Sequence, residues 1–119
     1  MDSHETDSSG FITEALGPSG TFGVFEDDGE TGYLYLYEPD GKGVFQHLHI
    51  YDRSPILSVQ QEDVKVVWTE DFTKCGVLIW GRMRGIIDLS TGLEGRVWLE
   101  ARDTPGIVDQ DWLRGFQMG

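Results

Sequence analysis

Between residues 20 and 100 the chain falls into short runs in which apolar and polar side chains alternate, the period of a strand with one face in a core. Thr21 to Glu26 opens the series and stops at Asp27-Asp28-Gly29-Glu30, a cluster with turn chemistry. Gly32 to Tyr37 sets Tyr33, Tyr35 and Tyr37 on one face and Leu34 and Leu36 on the other, and Pro39-Asp40-Gly41 closes it. Val44 to Tyr51 divides into Val44, Gln46, Leu48 and Ile50 on one side and Phe45, His47, His49 and Tyr51 on the other. Apolar bulk on both faces predicts a central strand. An irregular link follows from Asp52 to Asp63, with Ser54-Pro55 near its start.

The best-patterned region comes next. Val64 to Thr69, Cys75 to Trp80, Met83 to Leu89 and Gly95 to Glu100 are short apolar runs separated by turn signals, which predicts an antiparallel meander. Beyond Thr104-Pro105-Gly106, residues Val108, Trp112 and Phe116 recur every four positions with Leu113 beside them. That spacing predicts a short helix, capped by Asp109, closing one end or face of the sheet. The predicted fold class is mainly β: an antiparallel meander of about six or seven strands, curled or two-layer, with a short C-terminal helix. Residues 1–10 are polar and predicted to be a disordered tail, leaving 11–119 as a single domain.

Composition sharpens this. A chain of 119 residues supports one core, and 16 glycines suit a protein of many tight turns. The formal net charge is −12, and residues 1–42 hold ten acids against the single base Lys42. Such a field repels nucleic acid and anionic membranes and favours solubility or a basic partner. Cys75 is the only cysteine, so no intrachain disulfide forms, and its alternation with Val77 and Ile79 predicts a small buried side chain. The N-terminus lacks the basic and apolar segments of a signal peptide, and no apolar stretch has the length of a membrane span; a cytoplasmic protein is expected.

His47 and His49 carry the most suggestive spacing. Imidazoles at i and i+2 on a strand point the same way, and Asp52 could add a carboxylate. The pair has a passing likeness to the His-x-His element of cupins, but no later strand supplies a third histidine, and His4 lies in the expected tail. A site is defined by its ligand count, so neither metal nor cofactor is expected; an aromatic stripe with Phe45 and Tyr51 is the plainer reading. Arg82 and Arg84 share a face and suit a carboxylate or phosphate, with pairing to Glu94 or Glu100 as the simpler use. No nucleophile elbow and no phosphate loop occurs, which argues against an enzyme.

Gly32-Tyr33-Leu34-Tyr35, Leu48-His49-Ile50-Tyr51, Trp68-Thr69-Glu70-Asp71, Lys74 to Ile79 and Ile86-Ile87-Asp88 occur in this order. In these motifs, over about residues 20–98, the chain resembles a bacterial family of small acidic proteins of unknown function. The resemblance implies a bacterial origin and no activity, and it extends to His49 but not to His47. Trp68 to Asp88 also resembles one blade of a β-propeller, in a single copy, so a closed propeller is excluded.

The leading functional expectation is a non-enzymatic interaction protein whose acidic stretch, Glu26, Asp27, Asp28, Glu30, Glu38 and Asp40, engages a basic protein. An immunity-type inhibitor of a bacterial toxin is one concrete form. The alternative is a small-molecule or metal-binding β protein using His47, His49, Tyr51, Asp52, Arg82, Arg84 and the tyrosine face. A third reading is a homodimer formed through an uncovered edge strand.

Overall fold

A computed structural model describes residues 10–17, 20–41, 43–52, 59–92, 95–100 and 110–116. The expected tail up to residue 9, half of the irregular link, and the predicted helix positions Val108 and Asp109 lie outside these residues. Eight strands among the described residues form two four-stranded antiparallel meanders. The first contains β1 (Phe11–Leu16), β2 (Phe22–Asp27), β3 (Thr31–Glu38) and β4 (Gly43–Asp52). The second contains β5 (Val64–Trp68), β6 (Lys74–Ile79), β7 (Arg82–Asp88) and β8 (Arg96–Leu99), and a short helix α1 (Gln110–Leu113) follows. Strand order within each sheet equals chain order, so sequential strands are always neighbours. The mainly β, two-layer architecture is the predicted one, with β1 added.

Alternation builds the core between the layers. Phe25, Leu34 and Leu36 face inward from the first sheet, and Val64, Val66, Cys75, Val77, Ile79 and Ile87 from the second. The layers close where a side chain is missing. A Cβ at Gly23 would run into the Cys75 sulfur, and one at Gly85 into Leu48 and Ile50. Cys75 is buried as predicted, and burial pushes its thiol far above the ordinary range, which keeps it unreactive.

Each sheet has a strand ending in a buried aspartate that serves two masters. Asp27, at the end of β2, accepts the Gly29 amide at 2.8 Å on one oxygen and the Tyr51 hydroxyl at 2.5 Å on the other. Asp88, at the end of β7, accepts the Ser90 amide at 2.8 Å and the Arg96 guanidinium at 2.8 Å. In both, one oxygen fixes the chain reversal and the other ties it to the last strand of the same sheet. Burial alone would raise the Asp88 pKa; the bonds from Arg96 and Ser90 outweigh it and hold the carboxyl below its ordinary value.

Two expectations about β4 are corrected. It is an edge strand, not a central one. Its pairing with β3 shifts register twice, between Gly32 and Tyr33 and between Leu36 and Tyr37, and each irregularity changes which side chains share a face. Phe45 and Tyr51 therefore turn towards the core, while His47 and His49 stay on the outside. The predicted stripe of four does not exist.

The outer face of the second sheet is covered by the C-terminal segment. Phe116 lies against Gly76, where any Cβ would meet it and Met83, and the Arg96 guanidinium stacks 4.7 Å from the centre of the Trp112 ring. Lys74 donates to the carbonyls of Asp111 at 2.8 Å and Arg114 at 3.1 Å, satisfying acceptors that a helix end leaves unpaired. The predicted short helix closing a sheet face is present.

Two outcomes follow from this packing. Gly23→Ala lowers the stability to urea unfolding by about 1–3 kcal/mol through overpacking, and Cys75→Ala in the same chain restores part of the loss. For Asp88 the folded-state pKa is depressed, so its contribution is present above the unfolded carboxylate value of about 4 and fades as pH falls through the folded value. Asp88→Asn therefore flattens the decline in stability below about pH 4, measured by urea midpoints at stepped pH.

Candidate functional site

The first sheet has no described element over its outer face, in contrast to the second. Register arranges that face in three cross-strand rows. One reads Ile12, Glu26, Tyr33, His49; the next Glu14, Val24, Tyr35, His47; the last Leu16, Phe22, Tyr37, Val44. The sequence predicted that the three tyrosines share a face, and the pairing adds both histidines to it. The last row is apolar across all four strands, and Leu16, Tyr37 and Val44 are 62%, 38% and 54% exposed. Val24 in the middle row is nevertheless buried, because the side chains of neighbouring strands close over it.

Within these rows the polar groups are specifically engaged. The Tyr35 hydroxyl donates to Glu26 at 3.2 Å. Its pKa is raised, first by partial burial and then by the negative charge of Glu26. His49 Nε2 lies 3.1 Å from Asp52 Oδ1, with both groups well exposed, and the His49 ring centre is 6.0 Å from that of Tyr33. This is the carboxylate that the i+3 spacing suggested. Among the described residues no group of three or more potential metal ligands comes together.

The acidic stretch is not one patch. Asp28 and Glu30 sit on the β2–β3 turn and Glu38 and Asp40 at the far end of β3, separated by the length of a strand of 8 residues. Asp28 accepts the Glu30 and Thr31 amides, both at 2.9 Å, which lower its pKa while leaving it exposed. Asp27 is corrected outright as a partner contact: 1% exposed and bound to Gly29 and Tyr51, it belongs to the core face with Phe25 and Gly23. Tyr51 is likewise a core residue, its ring 5.9 Å from that of Phe25.

Arg82 and Arg84 both reach Glu100, at 2.9 and 3.1 Å, and the Glu100 side chain is only 4% exposed. The simpler use of these arginines is the one the fold adopts. They lie on the second sheet, away from the histidines. Sequence reasoning missed Leu16 because it missed β1. The signal was the register: once the β2–β3 reversal is centred on Asp28 to Glu30, Phe22 must face Tyr37, and the row can be extended in both directions.

Tyr35 supplies a test of the polar pairing. Its phenol ionises above the ordinary value of about 10, and Glu26→Gln brings it down, read from ultraviolet absorbance titration against a Tyr35→Phe control.

No curated protein and no solved structure matches the chain. A family model described as an uncharacterized protein conserved in bacteria matches residues 9–94, which hold all of the first sheet and β5 to β7 of the second. No helix among the described residues is long and apolar enough to cross a membrane. With most of its length in that match, the chain belongs to the bacterial family DUF2251.

Proposed function

We propose that the protein is a non-enzymatic binding module that engages a basic protein through the outer face of its first sheet. The observation that carries this reading is the apolar row Leu16, Phe22, Tyr37 and Val44, with the carboxylate of Glu14 on the same face of β1 and Asp40 in the turn that follows β3. Contiguous exposed apolar surface is characteristic of interaction sites, and a polar rim around an apolar centre is the usual anatomy of an interface. The sign of these carboxylates and the net charge of −12 select a cationic partner and speed its approach. Tyrosine suits such a face, since it offers large contact area with little rotamer freedom to lose.

Pairing through the free edge of β1 competes with a side chain that already occupies one of its carbonyls, that of Ile12. Gln61 donates to the Ile12 carbonyl at 3.0 Å and the Trp68 indole to the Ala15 carbonyl at 3.0 Å.

Leu16→Asp separates the apolar row from simple charge attraction. It adds an acid, so electrostatics alone predicts tighter binding to a basic protein; loss of the row predicts weaker binding. The expected result is a weakening of about 1.5–3 kcal/mol, the value of burying a leucine side chain, in calorimetric titration. Wild-type binding falls steeply between about 0.15 and 1 M salt, where the screening length shrinks from about 8 to 3 Å. Binding that is insensitive to salt, or strengthened by Leu16→Asp, contradicts the reading.

A further inference from the structure

The β5–β6 turn is built to hold an aromatic ring where a ring is sterically unwelcome. Phe72 has φ 59°, in the left-handed region that bulky residues avoid, and its side chain is 46% exposed. A hydrogen-bond network around the buried Thr69 fixes the turn. The Thr69 hydroxyl donates to Asp71 at 2.8 Å and receives the amides of Thr73 and Lys74, each at 3.1 Å. Asp71 in turn accepts both the hydroxyl of Thr73, at 2.8 Å, and its amide, at 3.1 Å. Strain that the surroundings over-determine is a reason to ask what the strained residue is for.

Phe72 is linked through Trp68 to the end of β1. Its ring packs edge-on against Trp68 with centres 6.3 Å apart, and Trp68 touches the residues on both sides of Leu16: its indole donates to the Ala15 carbonyl, and its ring lies against Gly17. Between Trp68 and Phe72 is a shallow hollow of about 350 Å³, lined also by Val67, Thr69 and Glu70. The hollow therefore lies beside the end of β1 that carries Leu16, and Glu70 and Asp71 belong to the same turn as Phe72.

We infer that the hollow between Trp68 and Phe72 receives an apolar side chain of the basic partner, flanked by lysine or arginine, and that Phe72 is the anchor of this second half of the interface. The inference rests on the reading given under Proposed function and extends it to the second sheet. Glu70 and Asp71 supply the charge complementarity, and the aromatic pair supplies apolar surface for a partner side chain to cover, the kind of contact in which binding energy concentrates.

The test uses a dodecapeptide of alternating lysine and leucine, with an all-lysine dodecapeptide as the charge-only control, and follows amide and indole resonances of the full chain. The alternating peptide is expected to shift the Trp68 indole and the amides around Leu16 and Tyr37, and to bind at least about tenfold more tightly than all-lysine. Phe72→Asn, which tolerates left-handed backbone, should melt at or above the wild-type temperature yet bind at least about tenfold more weakly. Phe72→Leu should retain most of the binding. Unchanged affinity in Phe72→Asn, or a silent Trp68 indole while the Tyr37 region shifts, overturns the inference and leaves the first-sheet reading standing. Equal binding of the two peptides, or no shift anywhere, overturns both.

Discussion

The close approach of the two sheets at Gly23 and Gly85 is the constraint on which the rest of the molecule depends. Each glycine lies where a side chain of the other layer protrudes, Cys75 against Gly23, and Leu48 and Ile50 against Gly85. Interiors pack as densely as organic crystals, so such vacancies let two short meanders share one core. Phe25, Leu34, Val77, Ile79 and Ile87 are then fully buried between the eight short strands of the described residues.

That arrangement decides which surfaces remain. Each sheet spends one face on the shared core, and the second spends its other face on the C-terminal segment, through Phe116, Trp112 and the Lys74 bonds. The first sheet keeps an outer face that no described element covers, and its register gathers the apolar residues of that face into a row. The buried aspartates keep the strand reversals in place. Asp27 and Asp88 each bind an amide of the following turn and a side chain from the last strand of their sheet. The carboxylates of Asp28 and Glu30 therefore rest on a turn whose geometry is fixed from inside.

Much of the fold was legible in the sequence because alternation has a direct physical cause: Leu34 and Leu36 must go in if Tyr33, Tyr35 and Tyr37 stay out. β1 was not, since Phe11, Thr13 and Ala15 face inward while Ile12 and Leu16 face outward, so neither side reads as the polar one. The faces of β4 were illegible for another reason. A register shift reverses the parity of every residue beyond it, and Val44 to Asp52 contains no glycine or proline to announce one. The acidic stretch was read as a unit because it is contiguous in the chain; an antiparallel hairpin carries its two halves to opposite ends of a strand. Asp27 did leave a signal, being in phase with Gly23 and Phe25.

The central claim is that the first sheet's outer face is where a basic protein binds, and contact mapping in bacterial cells addresses it whatever the partner's identity. A photo-crosslinking residue is placed at Tyr37, within the apolar row, or at Arg82, on the second sheet. The account predicts a discrete adduct from position 37 to a protein of basic composition, and none from position 82. Adducts of equal yield from both positions, an acidic partner, or no adduct at position 37 would contradict it.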